Sequence, residues 1–95
     1  MRVHNIRLID NTYDLEIANQ LLKRFIDAKI DFINDQIKKT DVNDQDEISQ
    51  LESRIKDLKA ETRSLDLFIE DFHGEQVEME IGSTIVMTIK NIESK

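Results

Sequence analysis

A heptad pattern of apolar residues runs through the stretch from Asp44 to His73. Its positions are separated alternately by three and four residues, which is the spacing of a coiled-coil seam. They are Ile48, Leu51, Ile55, Leu58, Thr62, Leu65, Ile69 and Phe72. Charged side chains flank the seam on both sides, as expected where a partner helix lies alongside. The pattern predicts one helix over residues 46–73 that needs a partner to cover its apolar stripe.

An earlier helix is predicted over residues 12–39, because neither Gly nor Pro interrupts this stretch and Lys38 and Lys39 suit a helix C-terminus. Its apolar positions span about 220° of the helix, which is wider than one neighbour requires. One face consists of Leu15, Ala18, Leu22, Ile26, Ile30, Ile33 and Ile37, and the other of Ile17, Leu21, Phe25, Ala28 and Phe32. The first face can pack on the second helix. The other is the predicted oligomer interface with a second copy of the chain.

Residues 40–46 are rich in turn-forming residues, and Asp44 with Glu47 forms a possible capping box for the second helix. The two helices are therefore predicted to form an antiparallel hairpin. A rival arrangement remains open, since Ile and Leu alternate along the seam as in a parallel two-stranded coiled coil. In that arrangement the second helix would pair with its own copy.

Two segments outside the helices alternate apolar and polar residues with the period of a β-strand. Residues 2–9 predict a strand with His4 and Ile6 on one side and Ile9 on the other. Residues 76–90 predict a β-hairpin with the loop 82–84, which would set Ile81 opposite Ile85. A single long strand through Ser83 is the alternative. The fold class is thus α+β, a single domain over residues 1–95 with a long, coiled-coil-like helical hairpin and a small antiparallel β element formed by the N-terminal strand and the C-terminal hairpin.

Composition narrows the classes of function. The net charge is -7, which argues against direct binding of nucleic-acid phosphates, because that mode of binding requires a basic surface. The chain has no Cys, which rules out disulfides, thiol nucleophiles and Cys-type zinc sites. Residues 1–10 contain no apolar run suited to a signal peptide, and no later segment has the length and hydropathy of a membrane span. A cytoplasmic protein that makes no membrane contact is expected.

Two segments have a partial likeness to metal sites. The stretch from Asp41 to Glu52 has acidic and polar residues at spacings similar to a calcium loop, but Asp46 occupies the place where the loop needs Gly. Glu70 and His73 are three residues apart, as in carboxylate-bridged metal bundles, yet no second pair accompanies them. No catalytic triad or phosphate-binding loop is visible either. We therefore predict no catalytic residues, no metal and no cofactor, and a protein that is not an enzyme.

The leading functional hypothesis is an oligomeric coiled-coil interaction module, a small scaffold or adaptor whose partners are itself and another protein. The alternative is an acidic inhibitor of the phage or mobile-element type, which blocks a nucleic-acid-binding enzyme by imitating the charge of its substrate. Such a protein would bind a partner with a basic surface. The candidate partner-binding residues for this role are Glu70, Asp71, Glu75, Glu78 and Glu80.

Overall fold

The computed structural model describes residues 2–92. In chain order these residues form a strand, two helices and a second strand. The elements are β1 (Arg2–Asp14), α1 (Leu15–Lys39), α2 (Gln45–Glu70) and β2 (Glu78–Ile89). β1 and β2 pair antiparallel in a two-stranded sheet, which we call the ribbon. The predicted fold class, α+β with an antiparallel helical hairpin, is confirmed.

The helical hairpin is held together by the predicted apolar seam. Leu51 of α2 and Ile33 of α1 are 2% and 3% exposed, and the other seam positions of α2 are half-buried. The Lys23 Nζ atom lies 2.6 Å from the Asp66 Oδ1 atom, and this contact joins the early part of α1 to the late part of α2, as an antiparallel arrangement requires. The seam of α2 is therefore covered by α1 of the same chain, and the second helix does not need its own copy.

The turn between the helices is organised by carboxylates that accept backbone hydrogen bonds. Asp41 Oδ1 accepts from the Asn43 N–H at 2.9 Å, and Asp44 Oδ1 accepts from the Glu47 N–H at 3.2 Å, which caps α2. Thr40 Oγ1 donates to the Gln36 carbonyl at 2.7 Å at the end of α1. Two acidic side chains of the stretch from Asp41 to Glu52 thus form an Asx-turn and a helix cap.

Both helices are shorter than the sequence predicts. α1 begins at Leu15 instead of residue 12, because residues 10–14 continue β1 and Asp14 is the residue whose side chain caps the helix, accepting from the Ile17 N–H at 2.9 Å. α2 ends at Glu70 instead of residue 73, and a turn follows it. Gly74 adopts a left-handed conformation, with φ of 83°, four residues after the helix ends.

The predicted C-terminal hairpin is wrong, and the structure has the single long strand. β2 continues through residues 82–84, the expected loop, without turning. The pairing of Gly82 with Asp10 and of Ser83 with Ile9 shows this. The extension of β1 to Asp14 provides a partner long enough for all of residues 78–89. The ribbon consequently has two strands rather than the expected three.

An irregularity in β1 at Leu8 decides which side chains share a face of the ribbon. Ile6 pairs with Ile85 and Ile9 with Ser83, so one additional residue is accommodated in β1 between these pairs. Since residues 83 and 85 of β2 point to the same face, Ile6 and Ile9 do so as well. The prediction that Ile9 lies on the side opposite to Ile6 is wrong, because it assumed an uninterrupted period of two.

The molecule is elongated and has a small core. Its Cα radius of gyration is 17.6 Å, whereas a compact domain of this length has about 12 Å. The buried apolar residues within residues 2–92 are Ile9, Ala18, Ile33 and Leu51. None of the helices in this range combines the length and the apolar character needed to cross a membrane.

Candidate functional surfaces

The outward face of α1 is apolar and uncovered. Ile17, Phe25 and Phe32 are 50%, 39% and 64% exposed, Ala28 is exposed, and Leu21 is half-buried. These five residues are the predicted oligomer interface, and we call them the outer face of α1. The opposite face of the same helix carries the residues that pack on α2. Four of the five outer residues are exposed, whereas Leu21 is half-buried like most residues of the inner face.

The ribbon meets the outer face of α1 at Tyr13. This side chain lines a groove of about 170 Å³ together with Ile17, Gln20, Leu21 and Arg24. Tyr13 pairs with Met79 across the ribbon, and Met79 and Ile81 lie on the same side of β2. The outer face of α1 therefore continues into the apolar side of the ribbon.

The predicted acidic residues lie where the ribbon meets the helices, a region that we call the junction. Glu70, Asp71, Glu75, Glu78 and Glu80 are all exposed, and none of them forms an ion pair within residues 2–92. Glu70 and Glu75 line a cavity of about 590 Å³, and Glu78 and Glu80 line an adjoining one of about 340 Å³. Asp71 lines neither of these two cavities.

Sequence reasoning missed two acidic residues at the junction. Asp14 and Glu16 line the larger cavity with Glu70 and Glu75, although they are more than fifty residues away in the chain. The sequence assigned them only to the start of the first helix. Their proximity to the C-terminal acids depends on the pairing of Asp14 with Glu78 in the ribbon, which no local pattern indicates.

The chemistry of the junction is that of a negatively charged depression with apolar walls. Leu15, Phe72 and Val77 line both cavities, and His73 lines the larger one. Phe68 and Phe72 pack edge to face with ring centroids 5.5 Å apart. Among the side chains that the structure describes, no three of the His, Asp and Glu groups converge in a geometry that could hold a metal ion. The depression is therefore suited to contact with a cationic surface.

Comparison of the chain with protein-family models, with curated proteins and with solved structures finds no match.

The outer half of the ribbon, residues 2–8 and 82–89, is a further surface that sequence reasoning missed. Every residue in these two ranges is exposed. The large apolar ones are Val3, Ile6, Leu8, Ile85, Val86, Met87 and Ile89. The predicted hairpin would have folded residues 85–89 back beside residues 77–81. The alternation continues in phase across Gly82, which permits one long strand as well as a hairpin. The structure has the long strand, which carries these residues away from the helices.

Proposed function

We propose that the protein is a non-catalytic oligomeric interaction module, a scaffold or adaptor whose helical hairpin associates with a second copy through the outer face of α1. The observation that supports this proposal is the exposure of Ile17, Phe25 and Phe32 in one line along a helix whose other face is already packed. Two hairpins that bury such faces against each other would form a four-helix assembly, in which each α1 packs between its own α2 and α1 of the other copy.

The amount of exposed surface supports the same proposal. The chain exposes 8215 Å², whereas a compact monomer of its mass exposes about 5,700 Å². The difference, about 2,500 Å², exceeds the roughly 800 Å² that each partner buries in a protein interface of ordinary size. The shape of the chain thus leaves room for one such interface and for further ones.

The test is the mass of the protein in solution and its response to Phe25→Asp. Light scattering at micromolar concentration should give at least a dimer for the natural chain. The variant should have a lower mass, because it loses the contact through α1, where the new carboxylate would be buried and unpaired. Phe25 lies outside the seam between α1 and α2, so circular dichroism should still report helices. Val42→Asp, in the exposed turn, is the matched control. If the natural protein has a mass of 11.2 kDa in solution, which is the mass of one chain, the proposal is contradicted.

The second candidate function is the acidic inhibitor of a nucleic-acid-binding enzyme. It is favoured by the exposure of all five predicted acids and by Asp14 and Glu16, which extend the negative surface around the larger cavity. A continuous, exposed set of carboxylates is what imitation of phosphates requires. Its partner would be a protein with a basic groove.

This second function is tested by the double change Glu78→Lys and Glu80→Lys. Both residues are exposed, so the fold should persist while capture of a nucleic-acid-binding enzyme from the native host is lost. The natural protein should release that enzyme as salt is raised, since the attraction is screened. Capture that is unaffected by the double change and by salt would contradict charge imitation.

A further inference from the structure

β2 has an open edge along its whole exposed half. The ribbon contains two strands, so within residues 2–92 one side of each strand has no strand beside it. Every residue from Gly82 to Ile89 is exposed, and an isolated two-stranded ribbon is only marginally stable in water. The backbone N–H and C=O groups along such an edge can pair with another strand.

The two edges of the ribbon differ in their protection against pairing. β1 carries an irregularity at Leu8 and an ion pair, with 3.3 Å between the Arg7 Nη1 and Asp10 Oδ2 atoms. Irregularities and charges of this kind are how proteins prevent edge strands from associating. β2 has regular pairing, no Pro, and no charged residue between Glu80 and Lys90. The unprotected edge is therefore that of β2.

The charges of β2 are separated between its two ends. Glu78 and Glu80 lie at its start, and Lys90 follows its last residue. If two copies of β2 paired in parallel, like charges would meet at both ends. An antiparallel pair instead brings the acidic end of each copy to the basic end of the other, which is the favourable arrangement for cross-strand neighbours.

One antiparallel register satisfies the apolar and the charged positions together. With Thr84 opposite its own copy, Glu78 faces Lys90 of the second copy, since each is six residues from Thr84. In the same register Met79 faces Ile89 and Ile81 faces Met87, each pair on the apolar side of the ribbon.

We propose that β2 pairs antiparallel with β2 of a second copy of this chain, about a two-fold axis at Thr84, to form a four-stranded sheet in the order β1-β2-β2-β1. The inference rests on the proposed oligomeric function but uses a different surface from the outer face of α1. A chain with two self-complementary surfaces assembles beyond the dimer, and it forms a closed tetramer when the two axes are perpendicular and intersect. The natural protein is then larger than a dimer.

The test exchanges charges in the Phe25→Asp background, where only the β2 contact remains. One chain carries Lys90→Glu, and the other carries Glu78→Lys with Glu80→Lys. Each alone should dimerise about tenfold more weakly than the parent, because like charges meet at both ends of the strand pair. An equimolar mixture should recover the parent affinity as a heterodimer, with tags of different mass on the two chains to identify it. If the mixture does not recover the parent affinity, the proposal is overturned. Circular dichroism verifies that each variant is folded.

A disulfide test is independent of charge, and the absence of Cys from the natural chain makes it specific. Thr84→Cys should form a covalent dimer on mild oxidation, since opposed residues of paired strands lie within disulfide distance. Asn5→Cys, exposed on β1, is the matched control and should remain mostly reduced. Equal crosslinking at both positions, or at Asn5 alone, would overturn the proposal. Thr84→Cys could form the covalent dimer while Phe25→Asp leaves the size of the protein unchanged. This combination would refute the α1 interface and support the β2 contact.

Discussion

Leu51→Ala is expected to lower the free energy of unfolding by about 2–5 kcal/mol. Leu51 is 2% exposed in the α1–α2 seam, in the part of α2 near the turn, and few other apolar side chains of the described residues are so fully buried. Removing it leaves a cavity that a two-helix layer has few atoms to fill. A chain with so small a core has little stability in reserve, so we expect the variant to be largely unfolded at 37 °C.

Urea denaturation followed by circular dichroism measures this change, at several protein concentrations because assembly contributes to stability. Val42→Ala is the control, since Val42 is 75% exposed in the turn between the helices and should change stability by less than about 0.5 kcal/mol. If Leu51→Ala had an equally small effect, the seam between α1 and α2 would not be the stabilising core.

Ala18→Leu is expected to destabilise the protein by about 1–3 kcal/mol through overpacking. Ala18 is 0% exposed, although it lies in the first turns of α1, next to Asn19, which lines the junction. Neighbouring atoms therefore enclose its methyl group on all sides. Three additional carbon atoms would force the ribbon or the end of α2 away from α1.

The matched control is Ala60→Leu, which makes the same substitution at an exposed position of α2. Thermal unfolding of the two variants should show a lower midpoint for Ala18→Leu and little change for Ala60→Leu. An Ala18→Leu protein as stable as the natural one would mean that free space exists beside Ala18.

The helices were predictable because their determinants are local. The three-and-four spacing from Ile48 to Phe72 specifies a helix and its buried stripe. The two-sided apolar pattern of α1 likewise separates Ile33, which the structure buries, from Phe32, which it exposes. Even the cap at Asp44 depends on residues three apart. The functional reading of these faces, oligomerisation through α1, stays a prediction.

The β element was less predictable because its determinants are distant in sequence. Residues 76–90 fit a hairpin and a single strand equally well in phase, and the choice depends on how far β1 extends. The sequence placed the start of α1 at residue 12, which left β1 too short to pair with all of β2. The irregularity at Leu8 was equally invisible, since it arises from matching two strands separated by the whole helical hairpin.

The acidic residues of the junction are brought together partly by closeness in the chain and partly by strand pairing. Glu70, Asp71, Glu75, Glu78 and Glu80 are near one another because they are close in the chain. Asp14 and Glu16 join them only because β1 and β2 pair.

By itself, the sequence determined the two helices, their pairing faces, the turn between them and the strand character of both ends. These properties follow from periodicity and capping within a few turns of chain. Only the tertiary structure decided that β2 is one strand, that Ile9 shares a face with Ile6, and that the outer half of the ribbon extends without cover. Strand register and edge exposure depend on which distant segment supplies the hydrogen-bond partner. The residues of the strand itself do not specify that segment.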